Sequence, residues 1–204
     1  MQPAHTIDHI LEKYIPKNAV PIIVHWISEQ PTSIKITAKR KTILGTYMSP
    51  ASATDRHTIT INGDLNPYAF LLTFVHEIAH LKVWLRHKNT VQPHGKEWQK
   101  IYVLLLEKVL HFFPTDAAMA IQNYMKNPLA ATCRDENLYK ILKKYDQKST
   151  DEILLEELPE NAKFMVEDGR VFQKGQKLRK FFRCTELKTE KIYRISGLLV
   201  VKKL

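Results

Sequence analysis

The stretch AFLLTFVHEIAHLKVWL, residues 69–85, is apolar at helical spacing yet carries two histidines and a glutamate in its middle. Asn66 stands where an N-cap belongs, and Pro67 falls in the first turn. On such a helix His76 and His80 share one face, one turn apart, as two ligands of a zinc ion do. Glu77 lies about 100° further round the axis, poorly placed to join that grip but well placed to reach a metal-bound water. The five residues read HExxH, two ligands and a general base. Zinc lowers the pKa of its water towards about 7, and the glutamate takes the proton as hydroxide attacks a carbonyl. With nine histidines and thirteen glutamates in the chain, the pattern arises by chance in roughly 2–3 of a hundred such sequences. The setting argues for a metal, because polar groups on a core face are costly unless they find a partner.

A catalytic zinc takes a third protein ligand. His87 is nearest in sequence, but it lies about 10 Å along the axis from His80, too far to share an ion. A glycine that could bend the helix, as in HExxHxxGxxH, is absent; Val83 and Arg86 hold the corresponding places. Residues 88–93 form a polar loop that lets His94-Gly95 turn back towards the metal just before the next helix. Glu97 is the rival, since some zinc peptidases take a glutamate from the second helix.

The rest of the chain reads as α+β. AHTIDHILEKYI is a helix stopped by Pro16, and SIKITAKR and HTITINGDL alternate as strands of a small antiparallel sheet. EWQKIYVLLLEKVLHFF, TDAAMAIQNYM and ENLYKILKKYD are further helices. Trp98 is expected to pack the helix EWQKIYVLLLEKVLHFF, to which it belongs, rather than touch substrate. After the acidic link STDEILLEELPEN come short strands: KFMVE, RVFQK, KLRKFFRC, KIYRIS and LLVVKK. Two domains are expected, residues 1–150 and a small β unit at 161–204 whose core draws on Phe164, Val171, Phe172, Phe181, Ile192, Tyr193, Leu199 and Val201.

Charge divides the chain at the same place. Residues 1–160 carry 19 basic and 17 acidic side chains, a surplus of +2, whereas 161–204 carry 12 and 4, a surplus of +8. Phe181, Phe182 and Tyr193 lie among these cations, a mixture that suits stacking on bases and neutralising phosphates, although aromatics that alternate along a strand also suit a core. Cys133 and Cys184 are too few for a disulfide framework and are expected to be buried or idle thiols. No apolar run reaches the roughly 18 residues of a membrane span, and the N-terminus lacks signal-peptide character, so the cytoplasm is the expected compartment.

Leu44-Gly45-Thr46-Tyr47, then HTITINGDLNPYAFLLTFVHEIAHL at 57–81, then PHGKEW at 93–98 together resemble the SprT-like (Spartan-type) family of zinc metalloproteases, over about residues 30–110. The resemblance implies a minimal zincin-like fold, one zinc held by His76, His80 and His94, and Glu77 as the catalytic base. It implies protein substrates, often tied to DNA. Many members end in a zinc ribbon built from two CxxC pairs. Here the corresponding segments run Met165 to Gly169 and Cys184 to Leu187, and of the four cysteines only Cys184 is present. A degenerate ribbon without a second zinc is therefore expected. The expected partners are a protein substrate and, through the basic C-terminal segment, DNA, with the chain acting as a monomer away from membranes. The contrasting expectation is a non-catalytic DNA-binding or adaptor protein that uses the zincin core as a scaffold.

Overall fold

The alternating segments Thr32–Thr37 (β1) and His57–Asn62 (β3) lie side by side and run parallel, Thr32 opposite His57 and Thr37 opposite Asn62. Gly45–Met48 (β2) pairs antiparallel with the other side of β3, so the order is β1-β3-β2 and β2 is an edge strand. The sheet is thus mixed rather than antiparallel. The chain leaves β1, runs back through β2 and re-enters between the two. The computed structural model describes residues 4–40, 43–52, 54–128, 135–146 and 151–204; Cys133 lies outside them.

What folds the β1–β2 connection back is polar. The fully buried Asn62 accepts from Arg40 Nε at 2.7 Å and donates from Nδ2 to the carbonyls of Ile43, at 3.0 Å, and Arg40, at 3.3 Å. Arg40 also donates to Thr60 Oγ1 at 3.0 Å and Leu44 O at 3.4 Å. These bonds lay β2 along β3 at the point where it meets the long helix.

That helix, Pro67–His87 (α3), is apolar on nearly every side, and Phe70, Leu71, Phe74, Val75, Ile78 and Ala79 are fully buried. A helix buried all round belongs at the centre of its unit. Its start is set by Asn66, whose side-chain oxygen accepts from the Tyr68 and Ala69 amides at 3.1 and 2.9 Å. The same side chain donates to Leu142 O at 2.9 Å and Asp146 Oδ1 at 2.6 Å, anchoring the last helix of the unit to the first turn of α3. Around α3 pack Ala4–Leu11 (α1), Val20–Ser28 (α2), Lys96–Val109 (α4), Thr115–Met125 (α5) and Glu136–Lys143 (α6). The chain is an α+β protein, and no helix among the described residues is long and apolar enough to cross a membrane.

The chain divides into two compact units, residues 1–146 and 147–204. The second is a six-stranded antiparallel sheet of order β4-β9-β5-β6-β7-β8. Its strands are Glu152–Leu154 (β4), Lys163–Met165 (β5), Val171–Leu178 (β6), Phe181–Glu186 (β7), Ile192–Ser196 (β8) and Val200–Lys203 (β9). Three expectations are corrected here. The acidic link supplies β4 and the buried Leu155 and Leu158, because Ile153 and Leu154 pair with β9. KLRKFFRC is two strands, since Arg179 at φ 55° turns the chain between β6 and β7. That turn places Phe182, Cys184 and Glu186 inside, leaving Phe181 38% exposed; Ile192 and Leu199 are exposed as well.

Candidate metal centre

Helix geometry alone places His76 beside His80. The third histidine needs the loop. α3 ends at Lys88, whose backbone turns left-handed at φ 52° while its amide caps Trp84 O. Thr90 then bonds back to His87 O through its amide, at 3.1 Å, and its hydroxyl, at 2.6 Å. His94 is also left-handed, at φ 61°, immediately before the Gly95 N-cap of α4. Two non-glycine residues in this region, one at each end of a short loop, are strained backbone of the kind found at functional sites. The result is that His94 points back at α3.

The three Nε2 atoms converge: His76 to His80 is 3.2 Å, His76 to His94 3.1 Å, and His80 to His94 3.0 Å. A ring nitrogen either donates or accepts, so three mutual contacts cannot all be hydrogen bonds. The triangle has the shape of a ligand set instead. Three nitrogens bound tetrahedrally at 2.0–2.1 Å to one zinc stand roughly 3.3–3.4 Å apart. Burial, reinforced by the neighbouring imidazoles, pushes His76 down to about 3 and His80 to about 4, and burial lowers His94. All three are neutral with free lone pairs, the form a metal takes. Trp98 is fully buried as expected, and it also forms a floor for the site, with ring centroids 4.7 Å from His76, 5.5 Å from His80 and 4.8 Å from His94. Among the described residues this is the one group of three or more His, Cys, Asp or Glu side chains suited to a metal; Glu97, in the first turn of α4, and His87, at the end of α3, are not part of it.

Glu77 is only 5% exposed. Burial raises its carboxyl to about 8, against the opposing pull of the Arg40 charge and a hydrogen bond from the Tyr47 amide. A dication at the three nitrogens would add a strong pull towards the carboxylate. The side chain fits only because of Gly45, where a Cβ would come within 2.7 Å of Glu77 Oε1 and 2.8 Å of Thr73 Cγ2. Arg40, Gly45 and the Tyr47 amide escape a reading of helix periodicity. Gly45 and Tyr47 had a signal in the LGTY resemblance, and Arg40 had none.

The site opens into a cleft of about 800 Å³ between β2, α3 and the α3–α4 loop, with Met48, Val83, Trp84, Val91 and Pro93 among its walls. Trp84 and Lys88 continue the stripe of His76 and His80 at successive four-residue steps, and the Lys88 ammonium sits 3.8 Å above the Trp84 ring.

The sequence model of the SprT-like family matches residues 17–113, a span that holds α2, α4, the whole three-stranded sheet and the HExxH helix. No curated protein and no solved structure matches the chain. Over those residues, which carry His76, Glu77, His80 and His94, the chain is similar to the SprT-like family.

Proposed function

We propose that this chain is a zinc-dependent metallopeptidase acting on protein substrates, including proteins bound or crosslinked to DNA. The observation that carries the reading is the triangle of neutral Nε2 atoms with a buried carboxyl one residue away on the same helix. His76, His80 and His94 would hold one zinc, which supplies Lewis acidity towards a carbonyl and makes a water molecule acidic near neutral pH. Glu77 takes the proton from the attacking water. As the C–N bond breaks, the same proton passes from Glu77 to the departing amine, so the carboxylate is regenerated. Among the described residues β2 has strand partners on one side only, and an extended polypeptide can add to its other edge and cross the site.

The second unit supports recruitment to nucleic acid. On β7 and β8, Arg183 stands directly opposite Arg194, both exposed and without a carboxylate partner among the described residues. Like charges opposite each other weaken a sheet, and an anionic partner would offset that cost. Arg194 also covers the exposed Phe181 ring at 5.3 Å, a surface suited to stacked bases and phosphates. The rival reading, a non-catalytic nucleic-acid adaptor, has no use for a glutamate buried at the mouth of a cleft. Zinc analysis of the purified chain, with peptidase assays on DNA-coated protein, tests the proposal. Stoichiometric zinc and cleavage abolished by Glu77→Gln are expected; zinc-free protein, or zinc-loaded protein without hydrolysis, refutes the peptidase.

A further inference from the structure

One residue outside the HExxH helix touches two residues of the centre and ties them to a third side chain. Tyr47 lies on the edge strand β2, and its amide donates to the Glu77 carboxyl. Its ring lies parallel to that of His80, 8° between planes and 6.4 Å between centroids. Its hydroxyl is 2.8 Å from Nδ1 of His57, and those two rings are also stacked, at 5.9 Å. His57 begins β3, the strand that pairs with β2, and in that register Tyr47 faces Ile59, two residues along from His57 on the same side of the sheet.

His57 is 5% exposed. Beyond the phenol, its ring contacts Trp84 edge-on at 4.9 Å. No carboxylate pairs with it among the described residues, so an ion pair does not explain its burial. Burial, with Lys88 beyond Trp84, lowers its pKa. A phenol that donates to Nδ1 puts the imidazole proton on Nε2, the neutral tautomer that leaves Nδ1 free to accept.

We infer that His57 and Tyr47 form a positioning pair for hydrolysis, in which His57 clamps the Tyr47 phenol so that β2 is held against Glu77 and His80. The inference rests on the metallopeptidase reading. Tyr47 is not the proton donor of the reaction, because its hydroxyl is committed to His57. Its contribution passes through its amide to the base and through its ring to a ligand. Groups that orient ligands and bases from outside the coordination shell are worth about 10–100-fold in affinity or activity.

The test separates this role from packing. Asparagine can offer an acceptor where Nδ1 stands, whereas glutamine is larger and places its polar atoms near the position of Nε2. In the zinc-loaded full chain, Tyr47→Phe, His57→Ala and His57→Gln should each lower kcat by about tenfold or more with KM little changed. His57→Asn should keep most of the parent kcat. If packing against Trp84 were the role, the larger glutamine would rescue better than asparagine, and that order overturns the inference. A second measurement needs no turnover: 15N-histidine NMR of the full chain should show His57 as the Nε2–H tautomer, with Nδ1 shifting in Tyr47→Phe. An Nδ1–H tautomer, or a shift unaffected by the substitution, overturns the pair even if the enzyme is active. Failure of the underlying reading looks different: the parent itself does not hydrolyse protein while the His57 tautomer is as stated.

Discussion

Both units bury polar side chains that are satisfied, but the helical unit also buries a cluster that is not. In the sheet unit, Lys174 is 4% exposed and fully partnered: its ammonium donates to the carbonyls of Glu156, at 3.2 Å, and Leu158, and sits 4.0 Å over the Phe182 ring. Glu186, equally inside, accepts from Thr189 and Tyr193. In the helical unit, three imidazoles converge with no mutual hydrogen-bond pattern that satisfies them, and burial raises the Glu77 carboxyl to about 8. Satisfied polar groups stabilise a fold. Polar groups that converge on one point without satisfying one another describe a site, because the structure bears their desolvation without recovering it internally.

The sharpest way to break this contrast is Glu77→Gln. An amide fits the same space and still accepts from the Tyr47 amide, so fold and zinc content should persist while hydrolysis falls by about 10²–10⁴-fold. Measured turnover near the parent rate removes Glu77 from its role as base. Next in size is the salt dependence of the sheet unit. If its exposed arginines neutralise four or five phosphates, affinity for labelled single-stranded DNA should drop by about two orders of magnitude between about 50 and 200 mM salt. Arg183→Ala with Arg194→Ala should flatten that slope. Salt-insensitive binding, or an unchanged slope in the double variant, leaves those arginines as solvated surface.

Lys174→Met tests whether the buried cation of the sheet unit is structural. It leaves two carbonyls without their donor, so the unit should lose about 1–3 kcal/mol of stability, followed by hydrogen exchange over β6 and β7, with zinc content unchanged. A neutral result would mean that satisfied burial contributes little here, and the contrast between the units would weaken. The smallest effect expected is at Gly45→Ala. The added methyl meets Glu77 Oε1 at 2.7 Å, so the base must shift; kcat should fall by about tenfold with little change in melting temperature. Parent-like kcat would show that the carboxyl has room to move without cost.

Legibility followed the range of the physics. The helix α3, its Asn66 cap and its Pro67 start are visible because period and capping act within a few residues. The edge strand β2 is four residues long, half exposed, and begins with glycine, so no alternation announces it. α2, VPIIVHWIS, is almost uniformly apolar, which hides its period. Phe181-Phe182 is readable in either parity. Which ring enters the core was decided by the turn at Arg179 and by the pairing of β7 with both of its neighbours.

The sequence by itself determined that His76 and His80 share a helix face with Glu77 beside them, since a rise of about 1.5 Å per residue leaves no alternative. It also determined, through Pro93, His94 and Gly95, that a third imidazole could return. Tertiary structure alone decided what surrounds Glu77. Asn62 and Arg40 fold the β1–β2 connection back, Gly45 admits the carboxyl, and Tyr47, clamped by His57, holds it from a strand 30 residues earlier in the chain. Those contacts depend on where an edge strand comes to rest. That is set by partly buried hydrogen bonds between residues about 20 positions apart, and no local pattern of the chain encodes them.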